Sequence, residues 1–389
     1  MNEAVMTAPE QMIAERLQQR MQRQRPIWEK ALEGMEFEHN NVRDAIVSPQ
    51  RTMFYAEPPL LDAPIDNPLP IIQFGLRTPE GFPKGFGFDN QGDPLTMHVN
   101  AIEQLAGKLK IPTRFARDLA KGPDWQRGEF AQLFNTFLTN APQTDRYMVR
   151  AFEGRAKAIM SDRYKPMNNG YVFASVLRQA RQFNAEAYDG HHGDLTGFLE
   201  VVHPELVPVV TPNNGTVHMI FGVQMRSSDY GAGALVVHNF LIQGICGNGA
   251  VIEMTDRKVH IGARMEEDAD LRETTKRKVL DATVAMLIDK VSARLHPNNV
   301  REQAQLIMRS SAKLLTAEQT DTILVERLER PEQESVKTLL YGSNMTNLGV
   351  IGSLSHWKIA QAISAIVPSD DADRRRELQK VAGDLIKQN

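Results

Sequence analysis

RYMVRAFEGRAKAIMS, residues 146–161, reads as two short strands joined by the two-residue turn Glu153-Gly154. Side chains alternate across a strand, and a two-residue loop would pair Phe152 with Arg155, Arg150 with Lys157 and Met148 with Ile159. One face would carry Tyr147, Val149, Ala151, Ala156, Ala158 and Met160, apolar enough to lie on a core. The other would carry Arg146, Arg150, Phe152, Arg155 and Lys157. Like charges directly opposite on a sheet repel, so Arg150 facing Lys157 calls for carboxylates of this chain or for outside anions. A basic face with an aromatic in it suits a nucleic-acid backbone; a solvated edge hairpin paired with nearby acids is the plainer alternative.

Around this hairpin the chain is ordinary in composition. It has 389 residues, 42% hydrophobic and 24% charged, with a formal net charge of -3, which suits a folded protein with a substantial core. Affinity for a polyanion must therefore come from a local patch and not from the overall field. Cys246 is the single cysteine, so no intramolecular disulfide forms, as expected in a cytoplasmic setting. No apolar run approaches membrane-spanning length, and the first residues lack the order of a signal peptide.

The pattern divides the chain into three. Residues 1–56 read as an N-terminal helical arm, with Arg16, Arg20, Arg23 and Arg25 among glutamines and few large apolar residues. Residues 57–265 read as a strand-rich α+β core. It opens on a Pro/Gly-rich, loop-rich layer at 57–94, followed by a helix pair broken at Pro112 and a helix over 168–183. The period then changes to two: Val217, Met219, Phe221, Val223 and Met225 alternate with polar neighbours, 234–245 continues as an apolar strand, and 251–261 suggests a hairpin. Residues 266–389 read as a helical module, with starts near Asp268, Thr316, Pro331, Ser353 and Asp370. The expected fold class is α+β, an antiparallel or mixed sheet in the middle with helices at the C-terminal end.

Four segments resemble a family of phage- and plasmid-encoded proteins known as domain-of-unknown-function family 932. They are LTMHVNAIEQLAGKLKIPTRFARDLA (95–120), MVRAFEGRAKAIMSDRYKPMNN (148–169), the glycine-punctuated MRSSDYGAGALVVHNFLIQGICGNGAVIEMTDRKVHIG (225–262) and SLSHWKIAQAISAIVPSDDADRRRELQKVAGDLI (353–386). In the last, Gln361 stands where the family usually has Asn. The resemblance implies a mobile-element protein and brings no established activity. The order of elements also looks like that of single-strand-annealing proteins, in which a strand-rich core followed by helices holds one DNA strand in a basic groove.

Motifs for other chemistries are missing. GICGNG lacks the Gly-Lys-Ser/Thr ending of a nucleotide loop and reads as a tight turn between strands. Cys246 and His260 have no spacing that joins them as nucleophile and base. His191, His192, His203, His218, His238 and His260, with Asp189 and Asp194, fit no metal-ligand spacing, so no metal, cofactor or catalytic residue is assigned. Between 146 and 165 six basic residues, Arg146, Arg150, Arg155, Lys157, Arg163 and Lys165, stand against Glu153 and Asp162. The following helix start would add free N–H groups. Arg226 and Tyr230 form a second polar cluster that would widen the strip if its strand lay beside the hairpin, with Phe152, Tyr164 and Tyr230 available to stack on bases. The expectation is thus a non-enzymatic, cytoplasmic, homo-oligomeric protein binding single-stranded DNA or RNA, with strand annealing as its most concrete form. The contacts would be Arg146, Arg150, Phe152, Arg155, Lys157, Arg163, Tyr164, Lys165, Arg226 and Tyr230. The alternative is an interaction or host-modulating protein of a mobile element.

Overall fold

The computed structural model describes residues 8–56, 72–87, 92–162, 164, 167–213, 215–243, 249–252, 273–342, 353–366 and 372–388. The fold is α+β. A helix α1 (Ala8–Asn41) precedes a seven-stranded mixed sheet of β1 (Arg43–Val47), β2 (Thr52–Ala56), β3 (Ile72–Arg77), β4 (Pro83–Lys84), β5 (Leu95–Met97), β6 (Tyr147–Phe152) and β7 (Arg155–Ser161). Three helices, α2 (Val99–Lys108), α3 (Thr113–Lys121) and α4 (Asp124–Thr139), lie between β5 and β6. After α5 (Asn169–Ala180) comes a six-stranded antiparallel sheet of β8 (Glu186–His192), β9 (Gly197–Val202), β10 (Val207–Thr211), β11 (Gly215–Ser227), β12 (Val236–Gln243) and β13 (Gly249–Ile252). The remaining described elements are helices: α6 (Glu273–Leu295), α7 (Pro297–Ala312), α8 (Ala317–Arg327), α9 (Arg330–Tyr341), α10 (His356–Ala365) and α11 (Ala372–Lys387).

The first sheet runs β1-β6-β7-β5-β3-β2, with β4 beside β3. Its outer strands β1 and β2 are neighbours in sequence, joined through Ser48–Arg51. The link from Val47 to Thr52 reaches at most about 17 Å, whereas six strands laid flat would put the outer pair about 24 Å apart. The sheet therefore curls, and α4 packs inside the curl. Phe130 and Phe134 of α4 meet Phe54 of β2 at 5.2 and 5.5 Å between ring centroids, and Phe54 meets Phe74 of β3 at 4.7 Å. Such a sheet leaves β2 as an edge, where unpaired backbone groups invite another strand. Here Asn135 closes part of it: its Oδ1 accepts the Phe54 N–H at 2.8 Å and its Nδ2 donates to the Phe54 carbonyl at 2.9 Å.

In the second sheet β11 pairs with β12 on one side and with β10 and then β9 on the other. Alternation along its strands sets the packing. Leu199, Val201, Val223 and Met225 join Phe173 and Val176 of α5 and Leu287 and Val291 of α6 in one core, while Met219, Phe221 and Leu241 join Trp357, Ile359 and Ile363 of α10 in another. The opposite face buries Tyr188, Val202, Ile220 and Phe240 against Leu17 and Met21 of α1.

Two expectations about organisation change. The first 56 residues are not a separate arm, because β1 and β2 belong to the curled sheet and α1 buries Leu17, Met21, Trp28, Ala31 and Met35 at helical spacing. The low apolar content of 9–33 hid a single narrow stripe. Gly190 lets α1 approach β8 closely, since a Cβ there would meet the Trp28 Cβ at 2.7 Å. The Pro/Gly-rich stretch, expected as turns and short strands in a layer over the fold, does contain the short strands β3 and β4, but β3 pairs with β2, β4 and β5 as part of the sheet itself. The break at Pro112, the helix after Asn168 and the alternating strand at 215–227 agree with their sequence patterns. The Cys246 turn and most of the hairpin expected at 251–261 lie outside the described residues, as do the first residues of the helix expected from Asp268.

Replacing Asn135 with Ala is expected to lower stability by about 1–3 kcal/mol, the usual penalty for leaving buried polar groups without partners. Chemical denaturation followed by circular dichroism measures it.

Candidate functional site

The hairpin forms with its turn at Glu153 (φ 49) and Gly154 (φ 72), both left-handed as a tight two-residue loop requires. Phe152 faces Arg155 as the alternation predicts, but a bulge follows. Ala151 pairs with Ala156 and Arg150 with Ala158, so Lys157 is an extra residue on β7. A bulge shifts the alternation beyond it by one. Tyr147, Val149, Ala151, Ala156 and Ile159 lie in the core beneath α2 and α4, whereas Met148, Ala158 and Met160 pack with Tyr230 on the other side. Ala158 and Met160 thus change faces relative to the two-residue alternation. Nothing in the composition of 146–161 marks the extra residue.

The side bearing Arg150 and Lys157 is not a solvated cationic face. Arg150 is 1% exposed and Lys157 is 7% exposed. The Arg150 guanidinium donates to Asp44 on the neighbouring β1 at 2.8 Å and to Asp229, just beyond β11, at 3.2 Å. The Lys157 ammonium reaches Glu38 of α1 at 2.5 Å and Asp194, in the β8–β9 turn, at 2.9 Å. Glu38 also accepts from the Tyr230 hydroxyl at 2.7 Å and contacts His192 Nε2 at 2.8 Å. His39 lies 3.3 Å from Asp229, whose other oxygen accepts the Met167 N–H at 2.8 Å. Repulsion between Arg150 and Lys157 is therefore met by four carboxylates drawn from α1, β1 and two loops of the second sheet.

Burial pushes the Glu38 carboxyl up, but hydrogen bonds from His192, Lys157 and Tyr230 outweigh it and hold the group below its ordinary value. Asp194 is also lowered, with the Lys157 bond and charge overcoming burial. Asp44 goes the other way, raised by burial and by the charge of Asp229 despite Arg150. Burial and Glu38 raise the Tyr230 phenol, which stays a hydrogen-bond donor. The cavity beside Glu38, Arg150 and Tyr230 holds about 20 Å³, room for no more than a water. A phosphate or a base does not fit there.

Of the ten residues expected to touch nucleic acid, Arg150, Lys157 and Tyr230 are thus internal ties. Phe152 is half-buried, edge-on to Phe37 at 6.4 Å and beneath the Lys157 ammonium at 5.0 Å. Tyr164 donates its hydroxyl to the Ser228 carbonyl at 3.2 Å. Arg146 and Arg155 are exposed but sit at opposite ends of the hairpin. Arg163 and Lys165 lie outside the described residues. The end of β11 does lie beside the hairpin, through Asp229, yet Arg226 faces elsewhere.

Arg226 lines a cavity of about 680 Å³ together with Gln224, His238, His98, Asp194 and, from α11, Arg376, Glu377 and Lys380. Asp194 is already engaged by Lys157 and by His98 Nε2 at 2.9 Å. His98 accepts the Asn100 N–H on Nδ1 at 3.0 Å, so Nε2 carries the proton toward Asp194. Burial lowers the His98 pKa, which favours this neutral form. Three cations, Arg226, Arg376 and Lys380, line the same cavity, with Glu377 as the other acid of the lining; Arg376 is largely buried, its guanidinium 5.2 Å from the Phe198 ring centroid. Register places Gln224 opposite both Glu200 of β9 and His238 of β12, and Glu200 opposite Asp189 of β8. A polar row thus crosses four strands beneath α11. Sequence reading had Arg226 but missed Arg376 and Lys380, about 150 residues further on; the alternation of Gln224 and Arg226 with apolar neighbours was the available signal. Among the described residues no three or more His, Cys, Asp or Glu are placed to hold a metal, and no helix is long and apolar enough to cross a membrane.

Arg150→Ala is expected to lower stability by about 1–3 kcal/mol, because Asp229 and the part-exposed Asp44 lose a charge-assisted partner; equilibrium urea unfolding gives the value. Comparison of the chain with protein-family models, with curated proteins and with solved structures finds no match.

Proposed function

We propose that the protein binds single-stranded nucleic acid without catalysing a reaction on it, with the cavity under α11 as the phosphate contact. The observation that carries this reading is the convergence of Arg226, Arg376 and Lys380 on one cavity of about 680 Å³ in a chain whose net charge is -3. Guanidinium and ammonium groups recognise phosphate oxygens by charge-assisted hydrogen bonds, and a local concentration of them serves where the overall field does not. The contact differs from the hairpin strip in position but not in chemistry. Exposed Arg146 and Arg155 supply further charge, Arg155 within electrostatic reach of His98 and Asp194 on the cavity wall.

The role as a phage- or plasmid-encoded protein, acting in a bacterial cytoplasm as a homo-oligomer and annealing strands, rests on the resemblance of the four segments and on the order of strands and helices. A host-modulating interaction protein is the competing reading, and it predicts no salt-dependent affinity for oligonucleotides.

If the three cations each neutralise one phosphate, the logarithm of the single-strand binding constant falls with the logarithm of salt at a slope near -2, at roughly -0.7 per contact. Replacing Arg226 and Lys380 together with Gln is expected to flatten the slope by about 1.4, and the Arg150 and Lys157 ties make no contribution of their own. Fluorescence anisotropy with a labelled oligothymidylate across a salt series measures both. Absence of binding at low salt, or a slope unchanged by the double replacement, favours the interaction protein.

A further inference from the structure

Beneath the cationic cavity lie two carboxyl groups that the binding reading does not use. Asp189 and Glu200 are 4% and 2% exposed and are cross-strand partners on β8 and β9. Directly opposed residues in an antiparallel pair put their Cα atoms about 4.5–5.5 Å apart, so two charges there would repel in a setting that water does not screen. The groups are not equivalent. Asp189 faces the Arg375 guanidinium of α11 at 3.2 Å and accepts the Gly190 N–H at 2.8 Å. Glu200 accepts one neutral hydrogen bond, from Gln224 Nε2 at 2.8 Å. Asp189 has a cation beside it, and Glu200 is left as the group that keeps the proton.

We propose that Glu200, opposed to Asp189 inside the sheet, holds a proton and that this proton makes anion binding in the cavity above it pH-dependent. The inference rests on the binding reading for its second half. Gln224 both lines the cavity and donates to Glu200, so a charge gained by Glu200 lies one side chain from a bound phosphate. The groups facing Glu200 are Asp189 and Tyr188 from β8, Gln224 from β11, Arg375 from α11 and Arg20 from α1, with Gln379 of α11 close to Gln224 at 3.5 Å. The two arginines favour ionisation. Burial and Asp189 outweigh them and push the Glu200 carboxyl up to about 7.

The sign follows from that position. A folded-state pKa raised above the ordinary 4.5 means that the native protein holds the proton more tightly than the unfolded chain. The stabilisation is full below the unfolded pKa and is lost as pH rises through about 7. Ionised Glu200 also repels an anion above it; one unit charge on the order of 10 Å away at an effective dielectric between protein and water weakens binding by about two- to tenfold.

The test compares wild type, Glu200→Gln and His238→Gln, since protonation of His238 in the same cavity would act in the same direction. Urea midpoints between pH 5 and 8, taken without ligand, are expected to fall more in wild type than in Glu200→Gln. Infrared spectra of wild type provide a second readout, a protonated-carboxyl band that titrates near neutrality and is missing from Glu200→Gln. Affinity for the labelled oligothymidylate at fixed salt is expected to drop by about two- to tenfold from pH 6 to 8 in wild type and in His238→Gln, and to lose that drop in Glu200→Gln. Salt-sensitive binding whose pH response survives in Glu200→Gln, or disappears in His238→Gln, overturns the linkage while leaving the binding reading intact. No oligonucleotide binding at any pH overturns both, and the urea and infrared measurements then still decide whether Glu200 holds the proton.

Discussion

One carboxylate, Glu38 near the end of the first helix, holds together parts of the chain that otherwise belong to separate cores. It takes hydrogen bonds from Lys157 on the curled sheet and Tyr230 beyond β11, and it meets His192 at the end of β8. Around it Asp44, Asp229 and Asp194 neutralise Arg150 and the remaining side of Lys157. The centre of this set, Glu38, Arg150 and Lys157, is buried, so removing Glu38 or Lys157 leaves the other without that partner where little water reaches. The two sheets have distinct apolar cores, and this polar layer passes between them beside the small cluster of Met148, Ala158, Met160 and Tyr230. Its cost in desolvation is offset by the number of charge-assisted hydrogen bonds and by the specificity of their geometry.

That constraint also decides where function can reside. A buried cation held between two carboxylates is unavailable to a phosphate, and a tyrosine whose hydroxyl is donated to Glu38 is unavailable for stacking. The hairpin that looks most like a binding surface in the sequence is a fastening. The cations that line the large cavity come from β11 and α11. Asp194 touches both regions, bound to Lys157 in the layer and to His98 at the cavity wall, which places the cavity directly against the fastening.

Much of the fold was legible from local patterns. The alternating run Val217 to Met225, the break at Pro112 and the Asn168 start of α5 each rest on a signal within a few residues. Asn168 caps its helix by accepting the Tyr171 N–H at 2.9 Å. What failed was long-range. The bulge at Lys157 depends on pairing across two strands, and the burial of Arg150 depends on Asp44 and Asp229, 106 and 79 residues away. A basic residue with distant acidic partners has no local mark that separates it from one awaiting an outside anion. The helix α1 was misread for a related reason. The apolar residues it buries, Leu17, Met21, Trp28, Ala31 and Met35, are too few over 34 residues for a core of their own, yet enough for one stripe against surfaces supplied by others.

The central claim, that a buried ionic layer ties the first helix to the hairpin, is tested most directly by a double-mutant cycle on Glu38 and Lys157. Glu38→Gln, Lys157→Met and the pair would be unfolded in urea against wild type. The account predicts a coupling free energy in the upper part of the usual range for contacting residues, about 2–3 kcal/mol. Single effects that add to within about 0.5 kcal/mol, as they do for independent sites, would contradict it.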